Sequence, residues 1–244
     1  MYKKDFESKI HDVDFFLKLL DSSTTKKKIS FVNPFSYAVL CENSHIIDEI
    51  DYWFSDGSLL TTLMNVFDKD KVVNRVSFDF SSIADDFFKE AVNKKWRLAI
   101  IGAKSDEIDI AVNYISDIYP DLDICYYRDG YFDINDEKVY HNLEKLKVDT
   151  LLVGMGTPYQ EKFIIEACKT INLSLAITCG GFITQTAMKG DYYHPLVKKL
   201  GLRWLQRAVL HKHVRQRILC DYPIFLAKYI LSRLLDKTNR YLNS

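Results

Sequence analysis

The sequence predicts an α/β fold built on a doubly wound, mainly parallel sheet, with a basic helical appendage at the C-terminus. Three observations lead to this prediction. Short apolar runs that end in a glycine or a polar residue recur along the chain, segments of helical periodicity alternate with them, and the charge changes sign near residue 196. Strands that alternate with helices of about 10–15 residues indicate a parallel sheet, whose buried strands are continuous apolar runs.

Two short strands are predicted in the first third of the chain. Residues 28–33 form an apolar run that ends at Asn33-Pro34, and the aromatic run 52–54 leads into Asp56-Gly57. Both runs are short, and a proline or a glycine directly after them favours a turn. We therefore expect each strand to end with a polar residue at one edge of the sheet.

The middle of the chain predicts four further strands and the helices between them. The strands are expected at residues 97–102, 122–127, 150–154 and 173–178. A helix is expected after Ser105, another around residues 135–146, and a third from Pro158, because proline suits a first helical turn. No repeat or linker interrupts the pattern, so residues 1–195 are expected to form one Rossmann-like domain.

Composition narrows the class of protein. The 244 residues include 48% hydrophobic and 14% aromatic residues, with only 9 Gly and 5 Pro, which excludes a disordered chain. The N-terminus lacks the apolar run of a signal peptide, and no stretch approaches the ~18 apolar residues of a membrane span. Five scattered cysteines without a C-x-x-C pair favour reduced thiols. We expect a cytoplasmic protein.

The formal net charge of zero hides two opposite parts. Residues 196–244 hold 11 of the 33 basic residues and two of the 33 acidic ones, a net charge of +9 that leaves −9 on residues 1–195. A basic appendage on an acidic body favours a polyanionic or membrane-surface partner. Its last amphipathic helix carries Lys228, Arg233 and Lys237, and it either lies on anionic lipid or packs against the body.

Ligands of open α/β sheets bind beyond the carboxyl ends of the strands. The most informative strand end is the segment Gly154–Glu161, where two glycines let the backbone approach a ligand and Pro158 fixes the next helical turn. Free amides at such a helix start suit a phosphate or diphosphate, although a tight strand-to-helix turn explains the same pattern. The dinucleotide fingerprint G-x-G-x-x-G is absent.

Asp56 follows a predicted strand and precedes Gly57 and an apolar helical stretch. A carboxylate in that position is either the N-cap of the helix or a general base that accepts the proton of an attacking hydroxyl. The residues by themselves leave both roles open.

No metal site is expected. Asp121 and Asp123 imitate a metal-binding Asp-x-Asp pair, but they lead into a strand and so lie at the sheet end opposite to ligands. His211 and His213 flank a lysine, and the sequence does not place two further Cys or His ligands at the spacing of a four-ligand zinc site.

Taken together, the motifs occur in an order that resembles one family. They are Asp56-Gly57, Gly102-Ala103-Lys104, Tyr119-Pro120, Asp129-Gly130-Tyr131-Phe132, the Gly154–Glu161 block, Gly180-Gly181-Phe182 and Leu202-Arg203-Trp204-Leu205-x-Arg207. From about residue 28 to residue 223 the chain resembles the WecG/TagA/CpsF glycosyltransferases (glycosyltransferase family 26). The segments around Asn33 and Gly181 look closer to the capsule and O-antigen members than to the teichoic-acid ones.

The resemblance implies an inverting, metal-independent and cofactor-free transfer of a hexose or an N-acetylhexosamine. The donor would be a UDP-sugar and the acceptor a polyprenyl-diphosphate-linked saccharide at the inner face of the cell membrane, in bacterial surface polysaccharide biosynthesis. Asp56 matches the family's base, and Gln160 and Glu161 match its donor-site pair. The appendage, residues 196–244, would close over the site and touch the membrane as a peripheral contact. A homo-oligomer is compatible with the family.

Two further sets of residues are candidates for holding the donor. Without a divalent metal, amides and guanidinium groups must meet the charge of the leaving diphosphate. The appendage arginines Arg207, Arg215 and Arg217 are the candidates for this task. The strand-end residues predicted to hold the rest of the donor are Asn33, Gly57, Gly102, Gly154, Gly156, Gly180 and Gly181.

Three positions depart from the family pattern. Phe31 stands where the teichoic-acid members carry Thr, and Thr184 stands where an Asp is usual after the Gly-Gly pair. The appendage arginines usually follow intervals of seven and then three residues, whereas here Val214 holds the middle position and Arg215 is displaced by one.

Two functions of other classes are alternatives. One is a non-catalytic protein on the same fold that binds a nucleotide-sugar or a lipid surface. The other is a nucleotide-binding regulator that uses its basic tail on nucleic acid, which predicts strongly salt-dependent binding. We expect no nucleic-acid partner, because the aromatic residues do not form the sheet-face pattern of base-stacking modules.

Overall fold

The computed structural model describes residues 4–22, 26–68, 71–188, 196–197, 203–210 and 212–242. Within these ranges it leaves out the side chains of residues 4, 203–204, 207, 213, 217 and 236–242. The predicted domain boundary near residue 196 borders the undescribed residues 189–195, so it stays a prediction.

Seven parallel strands form one sheet. They are β1 (Ile10–His11), β2 (Lys27–Val32), β3 (Tyr52–Ser55), β4 (Arg97–Gly102), β5 (Asp123–Arg128), β6 (Thr150–Gly154) and β7 (Leu175–Thr178). Their spatial order is β1-β3-β2-β7-β6-β4-β5. The predicted parallel α/β sheet is confirmed, with all six predicted strands within two residues of their expected positions. The two residues of β1 are too few to leave a periodic signal in the sequence.

Among the described residues up to 188, one helix precedes these strands and nine connect or follow them. They are α1 (Lys4–Ser8), α2 (Val13–Asp21), α3 (Pro34–Glu42), α4 (Ser44–Glu49), α5 (Ser58–Phe67), α6 (Ala84–Asn93), α7 (Ser105–Ile118), α8 (Glu137–Lys145), α9 (Tyr159–Thr170) and α10 (Phe182–Met188). The helices predicted after Ser105, around 135–146 and from Pro158 correspond to α7, α8 and α9. The Thr157-Pro158 peptide bond that precedes α9 is cis.

The described residues of the appendage are helical, as predicted. Helices Arg203–Leu210 and Lys212–Gln216 lead into a π-helical turn, Arg217–Asp221, and then into Tyr222–Leu242, called the C-terminal helix below. Within the described ranges, every helix is either too short or too polar to serve as a membrane span.

Two apolar clusters cover the two faces of the sheet. Neighbouring residues of β3 belong to different clusters: Trp53 lies in the cluster that contains Tyr37 and Phe163, whereas Phe54 lies in the cluster that contains Phe87. Side chains of successive strand residues point to opposite faces, so continuous apolar strands require helices on both faces. The doubly wound arrangement follows from this pattern.

One face of the C-terminal helix packs on the body. The rings of Phe225 and Tyr229 lie 5.7 and 6.3 Å from the ring of Tyr37 in α3. The carboxylate of Glu7 accepts hydrogen bonds from the hydroxyls of Tyr37 at 3.0 Å and Tyr229 at 3.1 Å, and it forms an ion pair with Arg233. Both charged residues of this pair are buried. Packing against the body, one of the two alternatives for this helix, therefore holds for this face.

The other face of the C-terminal helix is open to solvent. Arg233 is buried on the packed face and is not a lipid-facing residue, which corrects the expectation from sequence, because a buried Glu7 lies opposite it. The exposed face combines a lysine with aliphatic residues: Ile224, Lys228, Leu231, Leu234 and Leu235.

Candidate active site

A cavity of about 420 Å³ lies at the carboxyl edge of the sheet. Its walls are formed largely by residues that directly follow the strands, together with the loop that contains Ser77 and Phe78. This is where ligands bind in open α/β sheets. The predicted site residues that line it are Asn33, Asp56, Gly154, Gly156, Gln160, Gly180 and Gly181.

Strand-end glycines bring three neighbouring strands close together beneath the cavity. A methyl group placed on Gly102 would lie 2.4 Å from the carbonyl oxygen of Gly154, and one placed on Gly154 would lie 2.7 Å from that of Gly180. Neither distance is sterically allowed, so any side chain would push the strands apart. Gly102 thus shapes the floor of the cavity although it does not line it.

The loop after β6 is fixed by the side chain of Gln160. The backbone N–H of Gly156 donates to Gln160 Oε1 at 3.3 Å, and the backbone N–H of Gln160 donates back to the Gly156 carbonyl at 3.0 Å. Gly156 has a φ of +79°, in the left-handed region that favours glycine. Gln160 therefore both lines the cavity and sets the path of the glycine loop.

Glu161 is fully buried directly beneath this loop. Its Oε1 accepts three hydrogen bonds, from Gln160 Nε2 at 2.8 Å, Ser30 Oγ at 2.9 Å and Thr157 Oγ1 at 3.1 Å. Its Oε2 is buried without a hydrogen-bond partner among the described residues. Burial raises the pKa of Glu161, and the three donors only partly oppose that rise. Glu161 supports the site from below and does not line it.

Asp56 extends β3 into the cavity. Its backbone N–H donates to the Val32 carbonyl at 2.8 Å, which continues the pairing with β2. The residue at the start of α5 is Gly57, and this cap makes no side-chain hydrogen bond. The Asp56 carboxylate, about one quarter exposed, instead accepts a hydrogen bond from Arg75 Nη2 at 3.3 Å. The geometry therefore favours a carboxylate that faces the cavity over the helix-cap alternative.

Arg75 is absent from the residues predicted from sequence. Its Nη2 also donates to Asp79 Oδ2 at 2.9 Å, and Asp79 Oδ1 accepts hydrogen bonds from the backbone N–H and the hydroxyl of Ser81. Burial alone would raise the pKa of Asp79, but Arg75 and Ser81 outweigh it and hold that pKa below its ordinary value. Arg75 lies in a loop without periodicity, and no local pattern in the sequence singles it out.

The start of α3 forms the wall beside Asp56. Asn33 caps this helix, because its Oδ1 accepts from the backbone N–H groups of Phe35 and Ser36, each at 3.0 Å. Phe31 and Phe78 also line the cavity, with their rings 6.4 Å apart in an edge-to-face contact. This end of the cavity thus combines an acid with apolar aromatic surface.

Glu107 supplies the other carboxylate among the described lining residues. It lies in the first turn of α7, where its Oε2 accepts from the backbone N–H of Lys104 at 3.1 Å and from Thr184 Oγ1 at 3.0 Å. Glu107 is absent from the predicted set, because a first-turn glutamate is common in any helix.

Six predicted residues do not line the cavity or cannot be judged. Gly57, Gly102 and Glu161 lie outside its lining. Arg215 lies exposed on helix Lys212–Gln216, while the side chains of Arg207 and Arg217 fall outside the described residues. The role of the arginines therefore stays a prediction.

No group of three or more acidic, histidine or cysteine side chains in the described ranges is placed to hold a metal ion. His211 lies outside these ranges, as does the side chain of His213. Asp123 opens β5 and pairs with Arg97 at 3.0 Å, at the sheet end away from the cavity, as predicted.

Comparison with known proteins agrees with the resemblance seen in the sequence. The model of the WecG/TagA/CpsF glycosyl transferase family matches residues 6–239. A relative from Shigella boydii, a UDP-Gal:alpha-D-GlcNAc-diphosphoundecaprenol beta-1,4-galactosyltransferase, is 40% identical over 220 residues, which cover 89% of this chain and 92% of the relative.

More distant relatives carry a different sugar in their names. An N-acetylglucosaminyldiphosphoundecaprenol N-acetyl-beta-D-mannosaminyltransferase from Bacillus subtilis (strain 168) is 27% identical, with 87% of this chain and 80% of the relative covered. A protein of the same name from Staphylococcus aureus (strain NCTC 8325 / PS 47) is 26% identical over 147 residues, with 60% and 57% covered.

Proposed function

Because the chain belongs to the WecG/TagA/CpsF glycosyl transferase family and is a glycosyltransferase, we propose that it transfers a sugar from a UDP-sugar to a polyprenyl-diphosphate-linked saccharide. We propose galactose as the first donor sugar to test, since a UDP-Gal-dependent relative is 40% identical. The product would enter a bacterial surface polysaccharide of the capsule or O-antigen type.

The observation that carries this proposal is the position of Asp56. Its carboxylate borders the same cavity as the glycine loop of residues 154–156, which suits a diphosphate. An inverting transfer needs two groups on opposite sides of the anomeric carbon. One is a carboxylate that takes the proton of the acceptor hydroxyl, and the other is a site that holds the leaving diphosphate. The cavity offers both groups in one space.

In the proposed reaction, Asp56 takes the proton of an acceptor hydroxyl. The hydroxyl oxygen forms a bond to the anomeric carbon from the face opposite the diphosphate. The bond from that carbon to the diphosphate oxygen breaks, and its electron pair leaves with UDP. Arg75, held by Asp79, positions the Asp56 carboxylate through its 3.3 Å contact.

We propose that no divalent metal takes part and that amides and arginines meet the negative charge of UDP. The backbone N–H groups after β6 and the guanidinium groups of Arg207, Arg215 and Arg217 are the candidates. Oriented amides and arginines stabilise developing phosphate charge effectively in a site sheltered from water.

We propose that the enzyme acts at the inner face of the cytoplasmic membrane as a peripheral protein, because its acceptor would be anchored there. The exposed face of the C-terminal helix supports this placement, since Lys228 lies among Ile224, Leu231, Leu234 and Leu235. Aliphatic residues beside a lysine suit the boundary of an anionic bilayer. A homo-oligomer on the membrane remains part of the proposal.

Transfer to a synthetic acceptor tests the function directly. The full chain is incubated with a panel of UDP-sugars and a GlcNAc-diphospholipid, with and without EDTA, and the products are separated by mass. Transfer of one sugar that EDTA does not abolish supports the proposal. UDP binding without transfer to any acceptor would favour the non-catalytic binding protein, and transfer only with a metal would remove metal independence.

A further inference from the structure

A second carboxylate, that of Glu107, stands in the cavity without a role in the proposed transfer. Asp56 and Glu107 are the acidic residues among the described residues that line the cavity. A carboxylate in a diphosphate site repels the ligand unless it has hydrogen-bond donors to bind. Its position therefore calls for a ligand group that carries hydroxyls.

The two carboxylates stand at opposite sides of the cavity. Asp56 follows β3, whereas Glu107 lies just after β4, and β2, β7 and β6 separate these strands. The ends of β3 and β4 are thus about 19 Å apart. Glu107 contacts Thr184 of α10, the helix that follows β7, and β7 itself lies two strand spacings, about 10 Å, from β3. Glu107 therefore lies on the side of the cavity away from the sugar at Asp56, where a different part of the donor would lie.

The glycine loop fixes which part of the donor that is. Gly154, Gly156 and Gly180 line the cavity at the ends of β6 and β7, between the two acids. With the reacting sugar at Asp56 and the diphosphate over these glycines, the nucleoside continues toward β4. The hydroxyls that reach Glu107 are then those of the ribose.

Glu107 is held in place for such a contact. Its Oε2 is fixed by Lys104 N–H and Thr184 Oγ1, while Oε1 accepts no hydrogen bond from the described residues. A carboxylate with one oxygen anchored and one oxygen available suits a vicinal diol, and acidic residues bind ribose hydroxyls in other α/β nucleotide sites.

We propose that Glu107 binds the ribose hydroxyls of the nucleoside diphosphate, with Thr184 as the residue that positions it. The proposal rests on the proposed function, because it needs UDP in this cavity. It also gives Thr184 a task at a position where the family usually has Asp: the hydroxyl orients a carboxylate that comes from another helix.

Binding of UDP and 2′-deoxy-UDP to the full chain, measured by titration calorimetry, tests this assignment. Wild type is expected to bind UDP about tenfold more tightly than 2′-deoxy-UDP, because 2′-deoxy-UDP lacks the 2′-hydroxyl that donates a hydrogen bond to the Glu107 carboxylate. Glu107→Gln is expected to weaken UDP about tenfold and to leave 2′-deoxy-UDP within about twofold, so that the preference disappears.

Asp106→Asn is the matched control, because it removes the same charge from the same exposed helix turn without touching the cavity lining. It is expected to keep the preference for UDP. Thr184→Val leaves the contact between Glu107 and Lys104 intact and is expected to reduce the preference for UDP over 2′-deoxy-UDP. This variant tests the assignment if Glu107→Gln does not fold.

Three results would overturn the assignment. The first is equal affinity of wild type for the two nucleotides. The second is that Glu107→Gln loses the same amount of affinity for both nucleotides, and the third is that Glu107→Gln loses affinity for neither. Failure of wild type to bind UDP at all would instead overturn the proposed function, so the two failures are distinguishable.

Discussion

Arg75 Nη2 lies 3.3 Å from Asp56 Oδ1, which joins a loop residue to the strand-end acid 19 positions earlier in the chain. The same nitrogen contacts Asp79 Oδ2 at 2.9 Å, and Asp79 is buried. Arg75 thus orients the Asp56 carboxylate that faces the cavity, and the buried Asp79 fixes Arg75. Asp56 is held in this position by Arg75 and does not cap a helix.

Removing the charge of Asp56 tests the proposed base. Asp56→Asn is expected to lower kcat for sugar transfer about 1000-fold, because the amide cannot accept the proton. UDP affinity is expected to change less than threefold by calorimetry, since Asp56 does not contact the diphosphate in the proposed arrangement. Asp48→Asn, exposed on α4, is the control and should keep full activity. Near-normal turnover in Asp56→Asn would remove this residue from the mechanism.

Arg75→Lys tests whether the guanidinium positions Asp56. A lysine keeps the positive charge but cannot present a planar fork to two carboxylates. We expect kcat to fall about tenfold or more with KM for the donor nearly unchanged, which separates positioning from donor binding. Arg97→Lys, at the opposite end of the sheet, should leave kcat intact. A parallel loss of UDP affinity in Arg75→Lys would assign Arg75 to the donor instead.

Glu161→Gln is expected to change how stability depends on pH. Because burial raises the Glu161 pKa in the folded state, the folded protein keeps this proton over a range where the unfolded chain has released it. Its contribution to stability is complete below about pH 4.3 and declines as pH rises toward the folded pKa. The glutamine variant lacks this decline, so its stability relative to wild type should increase with pH.

Urea unfolding of both proteins between pH 5 and pH 8 measures this difference. Glu166→Gln, exposed on the same helix, should follow wild type at each pH. Glu161→Leu should unfold more easily at every pH by about 3 kcal/mol, because Ser30, Thr157 and Gln160 all lose an acceptor. A constant offset between Glu161→Gln and wild type would contradict a raised pKa.

The two faces of the C-terminal helix should respond differently to loss of charge. Arg233→Gln leaves the Glu7 carboxylate buried without its cation, and we expect the free energy of unfolding to fall by about 3 kcal/mol. Lys228→Gln, on the exposed face, should change it by less than about 0.5 kcal/mol. Thermal or urea unfolding measures both, and equal effects would contradict the packing seen for this helix.

Charge reversal on the exposed face tests the proposed membrane contact. Lys228→Glu is expected to weaken binding to vesicles rich in anionic phospholipid about tenfold, because one attraction becomes a repulsion. Lys138→Glu, exposed on α8, makes the same charge change elsewhere and should have little effect. Flotation with anionic and neutral vesicles provides the measurement. Unchanged flotation of Lys228→Glu would leave this face without a role at the membrane.

The sheet and the position of its cavity could be predicted from sequence because both depend on local patterns. Apolar runs that end at Gly102, Gly154 or Asn33 define strands, and parallel strands bring their carboxyl ends to one edge. The same local reasoning found Asp56, which directly follows β3.

The contacts that complete the site could not be predicted in this way. Arg75 and Asp79 lie in a loop without periodicity, and their link to Asp56 depends on how that loop folds over β3. Glu107 meets Thr184 across 77 positions, so neither residue signals the other in a single sequence. For Arg233, the basic composition of the helix suggested an outward role, whereas its pairing with Glu7 at the other end of the chain reverses it.

Helix α3 connects the wall of the cavity to the C-terminal helix, which limits what deletion of the C-terminal helix can test. It starts at the cavity with Asn33 and Ser36, and one residue later Tyr37 joins Glu7 and the C-terminal helix. A chain shortened before residue 203 would lose the C-terminal helix together with Arg207, Arg215 and Arg217. It would expose Tyr37 and leave the buried Glu7 without the cation of Arg233, so its inactivity would not measure the contribution of the arginines. Single substitutions, not deletions, are the way to ask what the tail contributes.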